Sequence, residues 1–383
     1  MTDIGHPNHA GPTQRAWQRL AQRFHDWRLQ KIASPAFQRW AAGFRLTRPF
    51  VRQDSARLYD LVAGFVYSQT LLACTELGLL ETLRSGPMAV RALAARHGLP
   101  EARMATLCQS AAAIGLLVPT PGGYRLGRLG AAALGVPGLS DMIRHHKIFY
   151  RDLADPVALL KDAHSTELSR YWTYVPGSET AGGSEEAAEY SHLMAISQAL
   201  VAEETLDAAS LGGARALMDV GGGTGVFLDH VGTRYPDLDL RLFDLPPVID
   251  AARARMGSSD RIALSSGSFL DDELPRGADT ISLIRVCYDH DDAVVVRLLR
   301  RVFAALPPGG RILVSEPMSG GDRPCRAGDA YFGFYTLAMT SGRPRSAEQH
   351  KDFLREAGFT GARRCPTRRP FLTSVVMATK PGS

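Results

Sequence analysis

The chain has 383 residues, of which 45% are apolar and 22% charged, with a formal net charge of +5. At roughly 100–200 residues per domain that length gives two or three domains, and the apolar content excludes global disorder. The charge is uneven: residues 1–57 carry ten basic side chains against three acidic ones, and the remainder carries 34 against 36. The body is therefore close to neutral, and the basicity sits in an N-terminal arm, residues 1–54.

Within the arm, Trp17, Leu20, Phe24 and Trp27 recur at spacings of three, four and three, one stripe of a helix. Arg19, Arg23 and Asp26 lie elsewhere on its surface, and Pro35 and Pro49 punctuate the rest of the arm. A basic amphipathic helix with tryptophans can rest on an anionic membrane surface. It can equally dock on the protein's own body or on a second subunit, and both readings stay open. No apolar leader precedes the arm, so a secretory signal is not expected. The most apolar stretch, Leu58 to Leu80, is interrupted by Asp60, Gln69 and Glu76, too polar for a membrane span, and reads as a buried helix. The five cysteines form no CxxC or Cys/His cluster, which fits a reducing cytoplasm and gives no metal site.

Residues 55–210 read as mostly helical. Val90–His97 runs to a Gly98 stop, and a second helix from Glu101 to Ile114 ends at Gly115. Leu116–Leu126 then has strand, turn and strand chemistry around Gly122-Gly123. Helix, turn, helix and hairpin make a winged-helix pattern, which raises DNA binding as a rival. Residues 84–128 hold six arginines against one acid, spread over two helices and a wing, a mildly basic surface.

From residue 211 to 383 short apolar runs alternate with helical segments: Ala216–Val220, Val226–Tyr235, Leu240–Phe243, Pro247–Met256, Thr280–Val286, Ala293–Leu306 and Arg311–Val314. This predicts an α/β domain with a parallel sheet covered on both faces. Thr360–Cys365 and Phe371–Thr379 have no helix between them and predict an antiparallel hairpin at the sheet edge.

The first strand of that domain runs into Asp219-Val-Gly-Gly-Gly-Thr-Gly225. Glycines at 221, 223 and 225 let the backbone turn sharply and approach a ligand. The spacing D-x-G-x-G-x-G is not the dinucleotide fingerprint G-x-G-x-x-G. The next strand ends at Asp244, a carboxylate able to accept from ribose hydroxyls, and Ser266–Asp272 after the third can flank an adenine. Three strand ends thus form a candidate nucleoside pocket.

On these residues the region resembles the class I S-adenosylmethionine-dependent methyltransferases. More narrowly, residues 60–380 are similar to O-methyltransferases that pair a winged-helix dimerisation domain with a Rossmann-like catalytic domain. The matching motifs are DVGGGTG (219–225), FDLP (243–246), GSFL (267–270), RVCYDHDD (285–292), LPPGGRILVSEPM (306–318) and SAEQHKDFLREAGF (346–359). The resemblance implies a homodimer and S-adenosyl-L-methionine as cofactor. It assigns Asp219, Gly221, Gly223 and Asp244 to that cofactor, with Ser268, Phe269 and Arg285 as neighbours.

The departure from the family lies in the fourth strand's end. Many relatives carry His-Asp-Trp there, with the His as base; this chain has Tyr288-Asp289-His290. Tyr288, with an ordinary pKa of about 10, suits hydrogen bonding to an acceptor hydroxyl, and His290, at about 6.5, has the acidity of a base. Glu316 ends the following strand where relatives place a site acid. These three are the candidate catalytic residues. His145 and His146 either face the substrate cavity or form a solvated pair. The stretches Ala63–Gln69, Asp152–Leu160, Thr166–Trp172 and Gly328–Met339 further resemble the hydroxyneurosporene/demethylspheroidene O-methyltransferases of purple bacteria. That likeness implies a small hydrophobic acceptor, the tertiary hydroxyl of an acyclic carotenoid, in a tunnel lined by Phe332, Phe334 and Tyr335. A polyketide phenol, a bacteriochlorophyll-type ring carbon, and a non-enzymatic winged-helix regulator with a nucleoside pocket are the alternatives.

Overall fold

The computed structural model describes residues 12–161, 166–171, 197–257 and 260–382. Trp172, the end of one resembling stretch, lies outside the described residues. Three helices open the described chain: α1 (Pro12–Ile32), α2 (Pro35–Gly43) and α3 (Arg48–Glu76). Pro35 and Pro49 fall in the first turns of α2 and α3, where a missing N–H costs no helix bond. The segment expected to be a buried helix lies largely in α3, and much of it is exposed: Leu58, Leu61, Val62 and Phe65 face outward in the single chain. The sequence is apolar enough for a core, but here no second layer covers that face.

α4 (Leu79–Thr82), α5 (Val90–His97) and α6 (Glu101–Ala113) pack around Cys74, Leu79, Leu83, Leu93, Met104 and Cys108. The strands β1 (Leu117–Thr120) and β2 (Gly123–Leu126) form the expected hairpin, and an isolated antiparallel bridge joins Met88 to Tyr124. Gly123 is required there, because a Cβ on it would meet the Met88 carbonyl oxygen at 2.1 Å. Helices α7 (Arg128–Gly135), α8 (Leu139–Asp152), α9 (Pro156–Lys161) and α10 (Glu167–Tyr171) follow, then α11 over 197–208.

The remaining strands are β3 (Ala216–Val220), β4 (Asp239–Asp244), β5 (Ile262–Ser266), β6 (Thr280–Ile284), β7 (Arg311–Glu316), β8 (Thr360–Cys365) and β9 (Ser374–Thr379). They form one sheet in the order β5-β4-β3-β6-β7-β9-β8, parallel from β5 to β7 and antiparallel at β9 and β8. Every residue of β3 and β6 is buried, as in strands covered on both faces. α12 (Val226–Arg234), α13 (Pro246–Met256), α14 (Asp292–Ala305) and α16 (Ala347–Glu356) accompany the sheet. α15 (Phe332–Ala338) is preceded by a π-helical turn, Arg326–Tyr331. Strand order reverses between β3 and β6, so a crevice opens at the carboxyl ends of β3, β4 and β6, where ligands bind in open sheets of this kind. The predicted fold class holds. No described helix is long and apolar enough to cross a membrane.

Candidate active site

β3 ends in Asp219, which is fully buried and accepts a hydrogen bond from Ser282 Oγ of β6 at 2.6 Å. Its other oxygen has no partner among the described residues, and burial pushes the carboxyl up to about 7. The chain then turns through Gly221 (φ 70°) and Gly223 (φ 60°), both left-handed. A Cβ on Gly221 would stand 2.9 Å from Val286 Cγ2 and 3.8 Å from Phe269 Cε1. The turn after β3, the loop after β5 and the end of β6 therefore converge on one point. At Gly223 a Cβ would meet nothing within 4 Å, so the turn has open space beside it.

Asp244 closes the adjacent corner. Its two oxygens accept from the backbone N–H groups of Gly223 (2.8 Å) and Leu245 (2.7 Å), fixing the carboxylate's plane. Burial pushes it up to about 6, against the pull of those two donors. Ser268 is tied within its own loop, its N–H donating to Asp272 at 2.7 Å and its hydroxyl to Asp271 at 3.1 Å. Phe269 meets the His290 ring edge-on, centroids 5.3 Å apart, and burial lowers the His290 pKa.

The run after β6 is held from below. Arg285 has φ 59°, rare for a residue with a Cβ, and donates to Ser197 Oγ of α11 at 2.9 Å. Burial opposes its charge, but Tyr288, Asp289 and Tyr335 more than offset that and keep it protonated. Tyr288 is buried, bonded to Arg285, and burial beside Asp289 raises its pKa well above the ordinary phenol value. Glu316 Oε1 accepts from the N–H groups of Val286 (3.0 Å) and Cys287 (2.7 Å), and burial pushes this carboxyl up to about 7. Glu316 thus clamps the turn that presents Tyr288.

Sequence reasoning missed two parts of this clamp. Asp289 is half-buried, with its enclosed Oδ1 unpartnered among the described residues, and desolvation with Glu316 nearby raises it well above the ordinary value. Arg345, 1% exposed, donates to the carbonyls of Cys287 and His290, each at 2.7 Å, and pairs with Asp292. The Asp289 signal lay within RVCYDHDD; Arg345 had none, being 55 residues or more from its two carbonyl partners.

An aromatic wall completes the region. His145 and His146 are not a solvated pair: His145 Nε2 lies 2.8 Å from Tyr335 Oη, and His146 Nε2 lies 2.8 Å from Tyr331 Oη. Burial, with His146 and Arg285 nearby, pushes His145 down to about 4, so its imidazole is neutral at pH 7. Phe149, Leu159, Leu168, Tyr288 and Tyr335 form a buried cluster, with Phe332 and Phe334 packed against it. Among the described residues no group of acidic, His or Cys side chains is arranged to hold a metal ion.

Comparison with known proteins agrees with this architecture. Residues 150–360 match an O-methyltransferase domain, and residues 59–135 match an O-methyltransferase dimerisation domain, which supports a homodimer. The chain is 49% identical over 357 residues to demethylspheroidene O-methyltransferase of Cereibacter sphaeroides, covering 92% of this chain and 94% of that one. It is 47% identical over 361 residues to the Rhodobacter capsulatus protein of the same name, covering 94% and 88%. Human N-acetylserotonin methyltransferase, solved in complex with S-adenosylmethionine, superposes with a TM-score of 0.73 at 26% identity, covering 86% of this chain and 98% of that one. Likeness of this extent makes the chain a member of the S-adenosylmethionine-dependent O-methyltransferases that carry a dimerisation domain.

Proposed function

We propose that this enzyme methylates the tertiary hydroxyl of an acyclic hydroxycarotenoid, in a pathway of the spheroidene or spirilloxanthin type. The observation that carries the reading is the 49% identity, along 92% of the chain, to an enzyme named for demethylspheroidene. An apolar wall of Phe149, Phe332, Phe334 and Tyr335 suits a long polyene. In this reading the protein is a cytoplasmic homodimer that meets its acceptor at a bilayer surface.

The strand ends fit S-adenosylmethionine by their own chemistry. Asp244 spends one lone pair per oxygen on backbone donors and keeps the others for two ribose hydroxyls. Gly223, with open space at its Cβ position, lets the backbone lie against the ligand. Ser268 and Phe269 would border the base, with the His290 ring against Phe269. Arg285 would offer a half-buried positive charge to the amino-acid carboxylate, while Asp219 and Gly221 shape the turn. When bound, the sulfonium supplies an electrophilic methyl group and a neutral thioether leaving group.

On the acceptor side Tyr288 stays protonated through the working pH range, so it orients the hydroxyl by hydrogen bonding and does not abstract its proton. Glu316 holds Tyr288 in place through the backbone of the turn. The released proton passes to a neutral imidazole: His290, or His145 reached through Tyr335. Alignment of the acceptor oxygen with the methyl group supplies most of the rate. The test is incubation with hydroxylated acyclic carotenoids, phenols and tetrapyrroles, scoring methylated product by mass. Turnover of the carotenoids is expected; turnover of phenols alone overturns the reading. Tyr288→Phe should lower kcat by about tenfold, the worth of one hydrogen bond of roughly 1.4 kcal/mol, and an unchanged rate removes Tyr288 from the site.

A further inference from the structure

Among the described residues the arm presents a long run of uncovered apolar side chains. Trp17 is 72% exposed and Phe24 61%, and Leu20, Trp27, Ile32, Trp40 and Phe44 are exposed with them. The rings are ordered among themselves: Phe24 stacks on Trp27 at 5.7 Å and Trp40 on Phe44 at 5.0 Å. α1 packs on α2 and α2 on α3, so the stripe is displayed from the end of a helical stalk. Beside it Arg19, Arg23, Arg28, Lys31, Arg39 and Arg45 are all exposed. Among the described residues no ion pair joins any of these six to an acid, although arginines of the body are paired repeatedly.

We propose that α1 and α2 form a docking surface for an anionic lipid bilayer, with Trp17, Leu20, Phe24 and Trp27 entering the headgroup boundary and the flanking cations resting on lipid phosphates. Apolar stripe, interfacial tryptophans and unneutralised cations together are what an in-plane membrane helix requires. The 21-residue α1 is about 30 Å long, enough to lie along the surface as one rigid anchor. A second copy of the chain is the weaker occupant for two reasons. Two arms of the same strong positive charge repel each other. The matched dimerisation domain begins at residue 59, beyond both helices. That domain does include Leu61, Val62 and Phe65 of α3, which are exposed in the single chain.

The proposal stands on the arm's own residues and gains its purpose from the carotenoid reading, since such an acceptor dissolves in lipid. Flotation of the full-length protein with carotenoid-free vesicles tests it separately. Vesicles of phosphatidylcholine with about 30% phosphatidylglycerol should bind at least about tenfold more protein than phosphatidylcholine alone, and about 0.5 M NaCl should remove most of the gain. The triple variant Trp17→Ala, Phe24→Ala, Trp27→Ala should lose at least about tenfold in binding, with its mass by light scattering and its cofactor affinity unchanged. Arg19→Glu with Arg23→Glu, which leaves the rings intact, should lose the preference for anionic lipid. Failure of the intact protein to float overturns the proposal. So does a triple variant that becomes monomeric while still floating, which would assign the stripe to a second copy. Acceptor turnover is scored in detergent, so either proposal can fail while the other stands.

Discussion

Two regions of this protein invert the usual placement of side chains. At the carboxyl ends of β3, β6 and β7, Asp219 and Glu316 are buried and Arg285 and Asp289 half-buried, and along α1 to α3 tryptophans, phenylalanines and leucines are exposed. The inversion has a different cause in each place. Ionisable groups taken out of water are costly unless bonded, and here Glu316 accepts from two backbone N–H groups, Asp219 accepts from Ser282 Oγ and Arg285 donates to Ser197 Oγ, which offsets part of that cost with a fixed geometry. The exposed apolar groups of the arm have no such compensation within one chain. The first region satisfies its polar groups within the chain apart from one oxygen each of Asp219, Asp289 and Glu316; the second leaves its apolar groups exposed among the described residues.

The sharpest way to break the first half of this comparison is at the glycine turn. Gly221→Ala adds a left-handed strain of about 1–2 kcal/mol and a methyl group 2.9 Å from Val286 Cγ2. Calorimetric titration should show cofactor affinity lowered by about 100-fold or more, with the far-ultraviolet circular dichroism of the folded protein retained. Next in size is Arg345→Met, which leaves the Cys287 and His290 carbonyls without their donor. It should lower stability by about 2–3 kcal/mol in urea unfolding and reduce kcat more than it changes cofactor affinity.

Asp244→Asn should lower cofactor affinity by about tenfold at neutral pH, and the pH dependence carries the mechanism. In the parent protein the ionised carboxylate is the better acceptor for ribose hydroxyls, so affinity should fall as the pH drops through about 6. The Asn variant should be flat there. The sign for folding is opposite: a carboxyl raised above its unfolded value adds stability that is full below about 4 and lost as the pH rises through about 6. Cofactor binding and apo stability, measured on one sample, should therefore move in opposite directions from this group. The smallest effect tests the second region. Phe24→Ala should change unfolding stability by less than about 0.5 kcal/mol, because the side chain is 61% exposed and its ring stacks on Trp27 of its own helix, not into a core. A loss of about 3 kcal/mol would make Phe24 a core residue and erase the contrast.

Much of this was legible in the sequence, and the limit is physical. Strands and helices of the catalytic half carry their periodicity locally, so β3, β4, β6 and β7 fall where the apolar runs predicted. Strand ends are also local, which is why Asp219 and Asp244 stand out from the sequence by themselves. The predicted strand Thr280–Val286 instead stops at Ile284, because Arg285 takes a left-handed conformation and Cys287–Asp289 coils into a 3₁₀ turn. Nothing in the identity of Arg285 signals that. Partnerships between distant segments are invisible for a similar reason: Ser282 under Asp219 and Arg345 under His290 are ordinary residues until the sheet brings them together. The expected burial of α3 fails because apolar composition shows what a helix can cover, not which molecule covers it.

The π-helical turn at Arg326–Tyr331 has a consequence for how acceptor choice can change. Such turns hold one more residue than an α-helical turn, and that extra residue sets the angle at which the following rings emerge. Tyr331 and Tyr335 stack at 5.7 Å and reach His146 and His145 from that angle. Removing one residue from 326–331 would restore α-helical winding and swing the segment's preceding side chains by about 100° relative to the tyrosines. A one-residue length change would therefore reshape the aromatic wall in a single step, leaving the glycine turn and Asp244 unaltered.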